Sequence, residues 1–276
     1  MKKWNLIIDI AKCFDCNNCF ISCKDEFDGN DFAPYSVAQP RHGQRWMNIM
    51  RKERGQYPLI DVAYRPTPCM HCDDAPCINK SNGAMYKHES GAVLVDTDKA
   101  KGHREIVDTC PYGAIYWNEE KDLPQMCTLC LHLLEDGWDK PRCVQACPTG
   151  ALTVAHVEDS EMADMVKAEG LEVLKPELNT KPRVYYKNLY RYSKCFIAGS
   201  VALKDTDECA EGAKVILSNG DKVVGETVTN NYGDFKLDNL EEDSGQYSVE
   251  VEYSGYEKQT LNFDLKDSIN IGNVFL

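Results

Sequence analysis

The sequence predicts an α+β chain in two parts: a cysteine-rich domain over residues 1–195, and a small all-β domain, barrel or sandwich, of about seven strands over residues 196–276. Three observations predict it. Twelve of the fourteen cysteines fall within residues 13–147. From Phe196 onward the pattern changes to short alternating runs broken by turn signals. Residues 196–276 hold 6 basic and 16 acidic side chains, a net of −10, which leaves only −3 for residues 1–195. Segments of such different composition are expected to form separate cores, and 276 residues give room for two.

In chain order, residues 4–10 alternate toward a strand, and residues 20–27 read as a short helix leaving the first cysteine run. Residues 29–68, rich in Arg, Pro and Tyr, form an insertion. Its Arg41, Arg45, Arg51 and Arg54 belong either to a solvated loop or to a face turned toward an acidic partner. Residues 91–95 and 114–117 predict a short strand pair around a helix at 98–109. A helix over 161–170 ends at glycine, and 171–194 is an extended connector. Tyr185, Tyr186, Tyr190 and Tyr192 in that connector fit a half-buried segment lying on a partner. Farther on, Asn219-Gly220, Ser244-Gly245 and Ser254-Gly255 separate runs at 213–217, 222–228, 246–251 and 256–263. This module shows no chemistry of its own, and its expected role is docking or stabilising a complex.

The cysteine spacing carries the chemistry. Cys13, Cys16, Cys19 and Cys23 spell C-x2-C-x2-C-x3-C, and Cys69, Cys72 and Cys77 spell C-x2-C-x4-C. Cys110 stands alone before Pro111, and Cys127, Cys130, Cys143 and Cys147 spell C-x2-C-x12-C-x3-C before Pro148. The first run is that of bacterial ferredoxins, in which three thiolates take corners of one iron–sulfur cube and the fourth reaches another cluster. At four thiolates per cube, twelve cysteines make three [4Fe–4S] clusters in a ferredoxin-type domain with insertions. Zinc is the competing reading for the C-x2-C pairs, but it needs neither a third cysteine at x2 nor the Cys-Pro endings.

An internal repeat explains the isolated cysteine. Laying Asp9–Cys23 over Asp96–Cys110 keeps the Asp, Lys12 with Lys99, and the final Cys in register. Cys13, Cys16 and Cys19 then correspond to Ala100, His103 and Ile106, and the fourth position after Cys77 falls on Ser81. A plan for four clusters has thus lost one whole site. Cys-Pro-x-Gly-Ala follows both Cys110 and Cys147. Crossing the fourth ligands, as in two-cluster ferredoxins, assigns Cys13, Cys16, Cys19 and Cys147 to a first cluster. Cys127, Cys130, Cys143 and Cys23 form the second, and Cys69, Cys72, Cys77 and Cys110 the third. His71 and His103 are expected to pack or hydrogen-bond, and Cys195 and Cys209 to be buried or partly buried free thiols.

A net charge of −13 argues against nucleic acid and anionic membrane surfaces as partners. No apolar leader follows Met1 and no run approaches a membrane span, so a cytoplasmic home is expected, unless an exported partner carries the chain. No Ser-His-Asp set, phosphate loop or paired carboxylates stand out, and no catalytic residue is expected.

These four cysteine groups resemble the iron–sulfur subunits of molybdenum oxidoreductases of the dimethyl-sulfoxide-reductase family, over about residues 1–155. The missing fourth site, the segments 65–72 and 175–190, and the appended β domain resemble one branch of it, small subunits of enzymes that transfer hydroxyl groups between polyhydroxybenzenes. The resemblance implies three cubane clusters, a seven-stranded C-terminal barrel, and electron transfer to or from a large catalytic subunit. That partner is expected to carry a molybdenum bis-molybdopterin guanine dinucleotide centre. Small subunits of molybdenum catechol dehydroxylases are similar, and a free-standing polyferredoxin is the other class the cysteines allow.

Overall fold

The computed structural model describes residues Met1–Leu276. The chain divides into two compact units, residues 1–51 with 64–189, and residues 52–63 with 190–276. The expected boundary at 195/196 therefore moves. The helical turn Tyr190–Ser193 packs on the strand Asp234–Leu240, and the tip of the inserted hairpin joins the second unit.

At the centre of the first unit is the strand Lys3–Asp9, whose Leu6, Ile7 and Ile8 are all buried. It pairs antiparallel with Leu152–Val157, Ile8 opposite Leu152, and parallel with Val184–Lys187, Leu6 opposite Val184. A strand hydrogen-bonded on both edges and covered on both faces reads as a continuous apolar run. The third strand corrects the picture of a connector lying on a partner. Tyr186 is fully buried and donates from its hydroxyl to the Pro66 carbonyl at 3.0 Å, so it belongs to the unit's own core.

Helix Asn18–Phe27 follows the first cysteine run, and its last residue, buried Phe27, packs against Phe32 and Trp46. Short helices Pro76–Lys80, Leu131–Glu135 and Arg142–Gln145 carry or follow the other cysteines. Helix Asp159–Glu169 stops at Gly170, as its sequence predicts. The expected helix at 98–109 is reduced to a 3₁₀ stretch, Arg104–Thr109, because Gly102 at φ +79° lies outside any right-handed helix. The expected strand pair is also corrected. Val93–Val95 pairs with Met85–Lys87, and Tyr116–Asn118 with Leu123–Gln125, each across a local turn that costs less loop entropy than a long closure.

The second unit has eight strands where about seven were expected. Cys195–Leu203 pairs antiparallel with Asp234–Leu240 and Glu208–Cys209, and parallel with Ile269–Phe275. The other sheet runs Lys222–Val228, Lys214–Asn219, Gly245–Glu252, Gln259–Leu265, all antiparallel. Ile197, Val201 and Phe235 from one sheet share a core with Val215, Leu217, Val249 and Val251 from the other. Two open sheets over one core make a sandwich.

The insertion forms a hairpin, Asn48–Gln56 with Leu59–Thr67. Its arginines behave differently from a solvated face. Arg54 is fully buried in the second unit, where it donates to the Lys194 carbonyl at 2.9 Å and to Asp61 and Asp238, with its guanidinium 5.2 Å from the Phe196 ring centre. In the first unit Arg51 pairs with Asp15, and Arg45 lies over Phe20.

Candidate functional site

The twelve cysteines of residues 13–147 all lie in the first unit. Three of their loops share one turn. In the pairs Cys13–Cys16, Cys69–Cys72 and Cys127–Cys130 the residue before the second cysteine, Asp15, His71 or Leu129, is left-handed at φ 56°, 46° and 59°. The turn aims that residue's N–H at the sulfur two positions back. His71 N donates to Cys69 Sγ and Leu129 N to Cys127 Sγ, each at 3.4 Å, and the Asp15 N–H to Cys13. The backbone within each of these three loops thus curls around its own first sulfur.

Long-range packing then brings thiols of distant segments near one another. Cys147 lies beside Cys13 and Cys19, so that its charge, after burial, acts to raise both, and Cys16 does the same. Burial and its neighbours push Cys19 up to about 12. Cys23, fully buried, is raised by burial and then by Cys127 and Cys130, while Cys143 feels Cys130, Cys127 and Cys23. Cys110 is the largest charge acting on Cys69 and Cys77 after burial, and it acts on Cys72 as well. The groups also adjoin. Cys19 interacts with Cys23 and Cys143, and the Cys69 N–H donates to Cys127.

The Cys-Pro-x-Gly-Ala segments supply further donors. Gly150 at φ +64° and Gly113 at φ +65° make the same left-handed bend. Around Cys147 that bend, despite burial, collects the N–H groups of Leu152, Thr149 and Ala151 and the Thr149 hydroxyl, which together lower its pKa. Ala114 N donates to Cys110 Sγ at 3.4 Å.

At the vacant repeat position the frame survives without sulfur. Asp96 accepts from Asp98 N and pairs with Lys99 at 2.8 Å, as Asp9 accepts from Ala11 N and pairs with Lys12 at 4.0 Å. Ala100 and Ile106 are buried. The Ser81 hydroxyl donates to the Ile78 carbonyl and accepts from Met85 N, both at 3.0 Å. His103 is exposed and pairs with Glu105.

His71 is buried, with Nδ1 accepting from Val93 N at 3.0 Å. That bond puts the proton on Nε2, which is buried without a partner, as is Thr128 Oγ1 in the Cys127–Cys130 loop. Cys195 is buried, its thiol pushed up to about 11 first by burial. Cys209 is exposed at the sheet rim, which corrects the expectation that both bystanders are covered.

The donor set fits iron–sulfur clusters. Nine of the twelve thiols are raised chiefly by burial, so those nine sulfurs favour the proton until a metal centre replaces it. Backbone N–H groups aimed at sulfur, with buried donors left over, belong to a site that receives additional sulfur acceptors. What sequence reasoning missed is the shared left-handed turn, which non-glycine residues adopt in these loops without a residue signature.

Comparison with known proteins agrees. Residues 60–157 match the family model described as a 4Fe-4S dicluster domain, and residues 197–270 the carboxypeptidase regulatory-like domain. The chain is 49% identical over 280 residues to the pyrogallol hydroxytransferase small subunit of Pelobacter acidigallici, with all of both chains covered. It is 32% identical to one of the subunits of tetrathionate reductase from Salmonella typhimurium, over 68% of this chain and 73% of that one. The arsenate respiratory reductase iron–sulfur subunit of a Shewanella species is 28% identical, over 67% of this chain and 95% of the relative.

Proposed function

Because the chain belongs to the family of iron–sulfur subunits that includes the pyrogallol hydroxytransferase small subunit, we propose that it is the electron-transfer subunit of a heteromeric molybdenum enzyme acting on polyhydroxybenzenes. In this reading it holds three [4Fe–4S] clusters. Cys13, Cys16, Cys19 and Cys147 hold the first, Cys23, Cys127, Cys130 and Cys143 the second, and Cys69, Cys72, Cys77 and Cys110 the third. The molybdenum bis-molybdopterin guanine dinucleotide centre, and with it the hydroxyl transfer, belongs to a large partner chain.

The observation that supports the reading is that thiols of distant segments interact, Cys147 with Cys13 and Cys19, Cys23 with Cys127, Cys130 and Cys143, and Cys110 with Cys69, Cys72 and Cys77. That arrangement supports a linear relay, in which each cluster passes one electron to the next and the chain's own groups set each potential through burial and hydrogen bonds to sulfur. A free-standing carrier has less use for the second unit, which contributes no cysteine to the three groups. The β sandwich serves docking or stabilisation of the complex.

Iron and acid-labile sulfide analysis of the purified complex tests the cluster reading, with about twelve of each per chain expected at four per cube. Values near eight or sixteen overturn it. A large subunit that copurifies with molybdenum and pterin supports the partner, and a chain isolated alone and fully loaded with iron argues for the free carrier.

A further inference from the structure

Lys87 closes the short strand Met85–Lys87 and stands opposite Val93 on the partner strand. Both residues bind the loop that starts at Cys69. The Val93 N–H donates to His71 Nδ1 at 3.0 Å. The Lys87 ammonium donates to the His71 carbonyl at 2.8 Å, to the Cys72 carbonyl at 3.0 Å and to Asp73 Oδ1 at 2.8 Å. An ammonium has three hydrogens, and here all three go to consecutive residues of the ligand segment. Carbonyl and carboxylate oxygens only accept, so all three bonds need the charged form.

The carbonyl oxygen and the sulfur of a cysteine are each two bonds from its Cα, which places the ammonium about 8 Å at most from the Cys72 sulfur. Asp73 does not cancel this charge, because it is shared. Its carboxylate also pairs with Arg183, Arg183 pairs with Asp159, and Asp159 pairs with Lys3. Three cations and two carboxylates leave this ladder with one net positive charge. Lys87 is the end of it that is bonded to the backbone of a ligand residue. In the first loop, by contrast, Arg51 binds the Asp15 carboxylate and its side chain is 47% exposed, against 26% for Lys87.

We propose that the Lys87 ammonium, fixed against residues 71–73, raises the reduction potential of the cluster held by Cys69, Cys72, Cys77 and Cys110. The inference rests on the cluster reading above. Reduction adds one negative charge to a cluster, and a cation held nearby stabilises the reduced form more than the oxidised one. Water screens such a charge less where the side chain is largely covered. An electron on the chain is therefore held more tightly at this cluster than its ligands alone would hold it.

The test is an anaerobic redox titration of the complex, large subunit included, with dithionite as the one-electron source and paramagnetic resonance as the readout. The signal to follow is the one that Cys110→Ser removes. Lys87→Gln removes the charge and keeps an amide that can donate to the carbonyls, so a merely structural role leaves the midpoint in place. A lower midpoint for that signal is expected, with the other two unmoved and iron at the unmodified level. Lys87→Arg keeps the midpoint near its unmodified value. Asp73→Asn still accepts from Lys87 but loses its negative charge, and the same midpoint is expected to rise. Opposite shifts from the two substitutions mark a charge effect. An unchanged midpoint in an iron-replete Lys87→Gln complex overturns the proposal, as does an equal fall in all three, or shifts of one sign in Lys87→Gln and Asp73→Asn. Should either variant lose iron, the other decides. An unmodified complex without about twelve irons per chain defeats the cluster reading itself, an outcome distinct from failed tuning.

Discussion

Gly102 turns the chain through the left-handed region at φ +79°, at the place in its loop that Asp15 takes at φ +56° in the first cysteine run. The two loops also share the aspartate turn and the Asp–Lys pair at their start. The vacant position therefore keeps the backbone of a ligand loop after losing its ligands. Ala100, Ile106 and Ser81 fill the space with small or apolar groups, and His103 is exposed beside Glu105.

Restoring sulfur should restore a site. The combined substitution Ser81→Cys, Ala100→Cys, His103→Cys and Ile106→Cys is expected to raise iron from about twelve to about sixteen per chain after reconstitution. Iron that stays at twelve means the retained turn no longer suffices to seat a cluster.

Replacing one ligand should damage one group. Cys110→Ser is expected to lose about four irons, those of the group with Cys69, Cys72 and Cys77, and to leave the paramagnetic signals of the other two clusters in place. Equal loss of all three signals contradicts the proposed pairing.

Arg54 is the buried charge on which the second unit's polar core depends. It holds both oxygens of Asp238, at 3.0 and 3.1 Å, together with Asp61 and the Lys194 carbonyl. Arg54→Met leaves Asp61 to Lys236 and Arg191 and Asp238 to Lys236, removes the buried guanidinium that joins them, and is expected to cost about 1–3 kcal/mol in denaturant unfolding of the full chain. Adding Asp61→Asn and Asp238→Asn should recover part of the loss, because neutral amides cost less to leave unpaired.

Acid should loosen the same network. Burial pushes the Asp61 and Asp238 carboxyls up, but hydrogen bonds from Lys236 and Arg54 to Asp61, and chiefly from Arg54 to Asp238, hold both below the ordinary 3.8. A carboxyl depressed in the folded state adds stability that is complete above its unfolded value and lost as pH falls through the folded one. Unfolding midpoints should therefore hold above about pH 4 and fall below it, with a shallower fall in Arg54→Met. Equal slopes in the two proteins assign the acid limb to other carboxylates.

The cysteine spacing, the Cys-Pro-x-Gly-Ala repeat and the degenerate copy at 96–110 were legible because they are local. A ligand loop of a few residues has few conformations, so its spacing nearly fixes which sulfurs can share a cube. Glycine at 170 likewise marked its helix end. The alternating runs after Phe196 announced a β unit, but spacing alone could not separate a closed barrel from the two open sheets that share the core of Val201, Val215 and Val249. Tertiary structure alone decided that Val184–Lys187 enters the central sheet and that Arg54 leaves solvent for an acidic pocket. Those outcomes depend on pairing residues more than a hundred positions apart, where burial and hydrogen bonding of the whole unit set the energy and no local pattern records the partner.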